Sequence, residues 1–517
     1  MADASRPTDG GPEIDDEITV KPKDHYNERL VEHVHPPHWR NPDPADRYHM
    51  VVIGGGTAGL VSAAGAAGLG ARVALVERHL LGGDCLNVGC VPSKAVIRAA
   101  RAWRDAAAGA QFGAGATRDS GDFAKVMERM RRLRASIAPH DGAVRFRDLG
   151  VDVFLGHGRF TDSHTISVDG TALRFRRAVI ATGARAVPLP IPGIVDAGYL
   201  TNETVFELVE RPESLIVIGA GPIGCELAQA FARFGTRVTL LEQANHMLPR
   251  EDSDAAAIVE QSMVLDGVGF EPGVDIRSVE NTPAGKRVIF ERVGVRHSVK
   301  ADEVLLSVGR APNVEDLGLD VAGVDLDAAG VKVDDRMRTT NRRVFACGDV
   351  ASRYKFTHAA DAQARIVIQN ALFFGRARAS RIVVPWCTYT SPEIAHVGMY
   401  ESDAARAGIA LDTVTVELSD VDRAVLDGQT DGLLRVHLKK GTDRIVGATL
   451  VAEHAGETIG ELCLAITAGV GLSKIAATVH PYPTQAEIIK KAADTWRRTK
   501  LTSTVQKIFE TWFRVFR

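Results

Sequence analysis

The run MVVIGGGTAGLVSAAGAAGLGA, residues 50 to 71, holds 22 consecutive positions without a charge, long enough to span a bilayer. Seven of the 22 are glycine. The break after Val51-Val52-Ile53, followed by small residues, reads instead as a buried strand, a tight turn and a helix. The same texture returns once: VIGGGTAGLVSAAGAAGLGARVALVE (52 to 77) aligns without gaps on VIGAGPIGCELAQAFARFGTRVTLLE (217 to 242), with 12 of 26 positions identical. Each copy predicts strand, turn, helix and second strand, and closes on an acid. EVLLSVGRAPN (303 to 313) and RVFACGDVA (343 to 351) each predict a strand ending in a turn. Beyond residue 381, TYTSPEIAHVG, LLRVHLKK and RIVGATLVAE alternate as strands before the helical ETIGELCLAITAGV, which predicts a separate α+β domain. The last stretch, 499 to 517, places Val505, Ile508, Trp512 and Val515 at spacings of three and four, a helical pattern. Residues 1 to 47 carry seven of the 22 prolines and no apolar period, so they read as an extended arm.

The glycines of the duplicated unit have separate tasks. Gly54 and Gly219 make the tight turn, Gly56 and Gly221 admit a pyrophosphate to the backbone at a helix N-terminus, and Gly59 and Gly224 let helix and sheet pack closely. Glu77 and Glu242, closing the second strands, are placed to accept hydrogen bonds from an adenosine ribose. One G-x-G-x-x-G is a weak signal; two complete units, each with its acid at the right distance, imply two bound dinucleotides.

Composition narrows the substrate. At 517 residues the chain suggests three or four domains of about 150 residues. Lys plus Arg (62) nearly balances Asp plus Glu (65), and a net charge of −3 gives no footprint for nucleic acid and no bulk attraction to anionic membranes, so a small substrate is expected. The polar, acidic N-terminus lacks a signal-peptide pattern, which predicts a cytoplasmic protein. Six cysteines make no disulfide scaffold. Two of them, Cys85 and Cys90, stand five apart in GGDCLNVGCVPSK, a glycine-rich loop running into the helical SKAVIRAARAW. The others (Cys225, Cys347, Cys387, Cys463) are scattered without a partnering His cluster, so no metal site is expected. A thiol near a helix N-terminus has a lowered pKa and is available for exchange, which makes the pair a candidate redox-active dithiol beside the first dinucleotide. His33, His35 and His38 could bind a metal, but the prolines of HVHPPHW break a helical His face, and an arm lying on the domain surface is the preferred reading.

Taken together, GGGTAG with Glu77, GGDCLNVGCVPSK, the ATG at 181 to 183, GAGPIGCE, GRAPN, CGD and HPYPTQAE resemble the FAD-dependent pyridine nucleotide-disulfide oxidoreductases over about residues 48 to 498. This is the family of dihydrolipoamide dehydrogenase, glutathione reductase and mercuric reductase. The resemblance implies an α/β fold with two Rossmann-like dinucleotide-binding domains and a C-terminal α+β dimerisation domain. It divides the chain into an arm (1–47), an FAD-binding domain in two parts (48–188 and 311–380), an NAD(P)-binding domain (189–310), an interface domain (381–498) and a tail (499–517). FAD would occupy the first unit, with Gly83, Thr182, Gly183, Gly309 and Gly348 at cofactor-binding positions and Asp349 reaching the ribityl and phosphate region. Cys90 would face the flavin, Cys85 would attack the substrate, and Lys94 would pair with Glu226 near the flavin nitrogen that accepts hydride. The implied route runs from nicotinamide through flavin to the Cys85–Cys90 disulfide and on to the acceptor. A homodimer is implied, each subunit lending residues to its partner's site.

The chain departs from the family at the proton-transfer site. Lipoamide and glutathione enzymes show His-Pro-Thr with a Glu five residues after the His. Here Glu487 lies five after Tyr482 and seven after His480, so Tyr482 stands where the base is expected. Mercuric reductases resemble the chain in having Tyr there, yet typical ones end in a vicinal cysteine pair, and no cysteine follows Cys463. The resulting expectation is an NAD(P)H-dependent flavoprotein reductase of a small disulfide or soft metal, in the mercuric reductase-like branch. The alternatives are a dihydrolipoamide dehydrogenase and a flavoprotein redox sensor or partner-binding module. Glu242 favours NADH over NADPH, Arg250 being the nearest cation. The basic, aromatic tail is expected to pack on the dimer, with contact to an anionic membrane as the alternative.

Overall fold

The computed structural model describes residues 18–114, 121–187, 189–373 and 375–516; the first part of the arm and Arg517 lie outside the described residues. Within them the arm is not extended, which corrects the sequence expectation. Helix α1 (His25–Val34) starts at Asp24, whose side chain accepts from the Asn27 amide at 2.9 Å, and it buries Leu30, Val31 and Val34 against the first core. Those three residues make one helical stripe. Pro22 and Pro36 flank the helix instead of interrupting it, and His35 turns inward onto the His79 carbonyl.

The uncharged run folds as the strand, turn and helix its glycines predict. Strand β1 (Tyr48–Ile53) leads through the turn into helix α2 (Thr57–Gly68) and on to β2 (Val73–Glu77). Helices α3 (Gly83–Asn87), α4 (Cys90–Ala108) and α5 (Phe123–Ile137) follow, before β3 (Val151–Leu155) and the long β4 (Thr171–Ile180). The order β3-β2-β1-β4 is parallel throughout, and the N-terminal half of β4 continues into an antiparallel pair at 158–162 and 165–168. Gly54 has φ +105, and a Cβ there would lie 2.3 Å from the Ala181 carbonyl oxygen; one on Gly59 would lie 1.7 Å from that of Gly54. No side chain fits either position.

The second unit repeats the arrangement. Strand β5 (Ser214–Ile218), helix α6 (Pro222–Arg233) and strand β6 (Arg237–Leu241) form a parallel sheet with β7 (Glu303–Leu306) and residues 269–271, and a three-stranded antiparallel meander lies between β6 and β7 in sequence. The chain then returns to the first sheet: β8 (Val344–Ala346) runs parallel to β4, and α7 (Thr357–Leu372) packs on α2. The third region is a five-stranded antiparallel sheet beginning with β9 (Pro385–Thr388), covered by α8 (Glu487–Thr499) through Ile488, Ile489, Ala492 and Ala493. Helix α9 (Ser503–Val515) ends the described chain with no residue buried. No helix among the described residues is long and apolar enough to cross a membrane.

Candidate active site

The dithiol is pressed onto the first nucleotide turn. A Cβ on Gly83 would lie 2.7 Å from the Gly56 Cα, so the loop carrying Cys85 closes against the N-terminus of α2 only because that residue is glycine. Cys85 lies within α3 and Cys90 is the first residue of α4, whose N-terminus has no side-chain cap. The two thiols hydrogen-bond to each other, and the Cys90 Sγ lies 3.4 Å from the Thr357 Oγ1 at the start of α7. The bond from Cys85 holds the Cys90 thiol down to about 6 against the opposing effect of burial, with help from Thr357 and Lys94. The same bond, with burial, pushes the Cys85 thiol up. At neutral pH the pair therefore shares one proton and one negative charge, with the charge on Cys90.

Lys94 follows Cys90 by one helical turn. Its Nζ lies 2.8 Å from Glu226 Oε2 and 4.5 Å from the centroid of the Tyr389 ring. Glu226, on α6 and 6% exposed, accepts the Tyr389 amide at 2.9 Å on its other oxygen. Burial disfavours charge on Lys94, but Glu226 outweighs it and carries the ammonium above its usual range. Lys94→Met should therefore move the Cys90 titration upward from about 6, read by thiolate absorbance across pH; an unmoved midpoint would remove Lys94 from the thiolate's field.

The two acids serve their turns in the same way. Glu77 accepts the amides of Gly55 at 2.5 Å and His79 at 2.7 Å, and Glu242 those of Ala220 at 2.6 Å and Ala244 at 2.8 Å. Burial pushes the Glu77 carboxyl up. Both border one cavity of about 2390 Å³ that also reaches Cys85, Cys90, Glu226 and Asp349. Gly83, Thr182, Gly183, Gly309 and Gly348 border the same cavity. The site fits two dinucleotides: α2 and α6 both begin without a side-chain cap, a Cβ on Gly221 would meet nothing within 4 Å, and the open amides are positioned for pyrophosphate oxygens. Burial raises the Asp349 carboxyl, which Arg310 approaches at 3.6 Å while also pairing with Asp84, next to Cys85.

The profile of the pyridine nucleotide-disulphide oxidoreductases matches residues 48–364, and that of the family's dimerisation domain matches residues 384–493. The chain belongs to this family. A mercuric reductase of Staphylococcus aureus is 34% identical over 454 residues, covering 87% of this chain and 82% of that protein. A dihydrolipoyl dehydrogenase of Geobacillus stearothermophilus is 34% identical over 461 residues, covering 87% and 97%. The solved Cu(II) complex of the HOCl-induced flavoprotein disulfide reductase RclA from Escherichia coli matches with a TM-score of 0.77 at 27% identity, covering 87% of this chain and 100% of that one. As a member of the family the chain is an FAD- and NAD(P)H-dependent oxidoreductase carrying a dimerisation domain.

Against that family pattern, three of the sequence-predicted residues stand apart. None of His480, Tyr482 and Glu487 borders the thiol cavity of its own chain. The His480 Nε2 lies 3.1 Å from Glu461 Oε1, not at Glu487. The Tyr482 hydroxyl donates to Asp422 at 2.8 Å, which raises the phenol's pKa, and the ring is 68% exposed. Glu487 opens α8 with one carboxylate oxygen buried and unbonded among the described residues.

Other contributors escaped the sequence reading. Thr357 and Tyr389 meet the dithiol and the Lys94–Glu226 pair from more than a hundred residues away, with no local pattern to announce them. Cys387 is a further thiol on the cavity wall, pushed up by burial and by Glu393. The arm also connects to the site. Asn27 donates to the Pro22 carbonyl at 2.8 Å and accepts from Arg134 at 2.7 Å, and Arg134 donates to the Asn87 carbonyl at 2.5 Å, two residues after Cys85. Val20 and Lys21 border the same cavity.

Proposed function

We propose that the chain is an NADH-preferring flavoprotein reductase in which Cys85 and Cys90 deliver two electrons to a soft metal ion, whose reduction does not wait on an imidazole base, and less readily to a small disulfide. The reading divides the chain at residues 188, 310, 380 and 498, with the FAD-binding domain on either side of the nicotinamide-binding one. The single observation that carries it is the placement of the dithiol: Cys85 and Cys90 border the same cavity as both nucleotide turns, with Cys90 at the uncapped start of α4 and its Sγ 3.4 Å from the Thr357 Oγ1. Bound FAD supplies the redox chemistry that connects NADH to the Cys85–Cys90 disulfide.

Before the acceptor arrives, Cys90, beside Thr357 and Lys94, carries the negative charge of the reduced pair. Cys85 passes its proton to Cys90 through their hydrogen bond and becomes the attacking thiolate. The two sulfurs give up two electrons and close to a disulfide, with one Hg(II) taking both electrons or two Cu(II) taking one each; the reduced metal and the remaining proton leave, and no proton has to be donated to a product. With a disulfide acceptor, Cys85 forms a mixed disulfide and each departing thiolate must be protonated, which is the step an imidazole would serve. Tyr482, bonded to Asp422, is a poor substitute. The names of two similar proteins, a mercuric reductase and a Cu(II) complex of a disulfide reductase, agree with a metal acceptor. Dihydrolipoyl dehydrogenase relatives of equal identity support the second reading. The test is an acceptor screen with NADH covering Hg(II), Cu(II), lipoamide, glutathione disulfide and quinones. Metal turnover should exceed lipoamide turnover; the reverse order would sink the proposal.

Glu242 supports the NADH preference. A carboxylate beside the adenosine ribose accepts from a 2′-hydroxyl and repels a 2′-phosphate, while Gln243, Ala244 and Asn245 carry no positive charge; Arg250 borders the same cavity. The kcat/KM for NADH should exceed that for NADPH by about tenfold. A higher value with NADPH would reassign Arg250 as a 2′-phosphate ligand.

A further inference from the structure

Helix α9 leaves its apolar side uncovered. At 100° per residue, Val505, Ile508, Phe509, Trp512, Phe513 and Phe516 fall in a sector of about 140° that contains no charge. From Ile508 to Phe516 these large side chains are between 48% and 66% exposed. Lys507, Glu510 and Arg514 occupy the opposite side. The helix is separately initiated, since the Thr502 side chain accepts from the Val505 amide, and the three residues Lys500 to Thr502 join it to α8.

Two observations indicate what covers this face. The dimerisation-domain match ends at residue 493, before the helix begins. The surrounding charge is strongly positive: Arg497, Arg498, Lys500, Lys507, Arg514 and Arg517 stand against Glu510 alone, in a chain whose net charge is −3. A second copy of the helix would bring the same positive charge to the same place, whereas an anionic surface complements it. A wide, aromatic-rich apolar sector backed by basic residues is the pattern of a helix lying in the headgroup layer of a bilayer.

We propose that α9 is a surface anchor for anionic membranes, with Phe509, Trp512, Phe513 and Phe516 entering the headgroup boundary and the basic residues of α8 and α9 facing lipid phosphates, while the redox domains stay in water. The test uses the FAD-loaded full-length protein and two variants, a chain ending at residue 500 and Phe513→Ala/Phe516→Ala, which keeps the helix. Flotation compares vesicles of phosphatidylcholine alone with vesicles containing phosphatidylglycerol. Full-length protein should float with phosphatidylglycerol vesicles only, and less as salt rises; both variants should lose at least about tenfold in bound fraction and keep NADH oxidation and oligomeric mass. Equal flotation of full-length and truncated protein, or no binding to phosphatidylglycerol, would overturn the proposal. A truncated chain that falls to monomer would overturn it too, assigning the face to a second copy.

Discussion

Cys90→Ser will remove acceptor reduction, lowering kcat/KM by on the order of 10³-fold or more without unfolding the protein. Cys90 holds the thiolate because Cys85 donates to it, and the start of α4, Thr357 and Lys94 all stabilise charge at that sulfur. A serine hydroxyl at this position stays protonated at neutral pH and cannot close a disulfide. Cys85→Ser should be as deficient in turnover but differ in spectrum: the thiolate remains at Cys90, so the long-wavelength absorbance of a thiolate beside flavin should persist after anaerobic reduction. In Cys90→Ser it should vanish. The opposite pattern would reverse the two roles. The pH dependence follows from the same pair. Since the Cys90 thiol is held down to about 6, wild-type turnover should fall as pH drops through that value, where the thiolate takes up its proton and can no longer accept the proton of Cys85.

The parts of the site that were legible in the sequence are those in which the backbone itself does the work. Gly54 and Gly59 are dictated by contacts with residues a few positions away or on the adjacent strand, so the turn, its helix and Glu77 can be read from a single segment. The dithiol belongs to the same class, since Cys85 in α3 and Cys90 at the start of α4 stand five residues apart in one segment. The arm was misread for the complementary reason. Its helix depends on Leu30, Val31 and Val34 finding the first core and on Asn27 finding Arg134, 107 residues on, and a short stripe between prolines carries little signal by itself. Thr357, Tyr389 and Arg310 reach the site the same way, each brought in by a different return of the chain. Spacing along the sequence puts Tyr482 five residues before Glu487 but could not show that its hydroxyl would be taken by Asp422.

That hydroxyl decides the second large effect: Tyr482→His should raise lipoamide turnover by on the order of 10²-fold. Proton transfer to a departing thiolate at neutral pH favours a group titrating near ~6.5 over a phenol near ~10, and the hydrogen bond to Asp422 moves this phenol still further from use. His480 is not available in its place, because Glu461 holds its ring. Glu487, by contrast, keeps a buried oxygen without a partner, and a histidine five residues before it restores the spacing of the lipoamide and glutathione enzymes. An imidazole there would stand five residues before a carboxylate with an oxygen free to orient it. Tyr482→Phe separates this from a role for tyrosine itself: it should leave metal reduction unchanged and lipoamide turnover as low as in wild type. Wild-type protein that already reduces lipoamide at on the order of 10² per second or more would show that no imidazole is missing, and would return the chain to the dihydrolipoyl dehydrogenases.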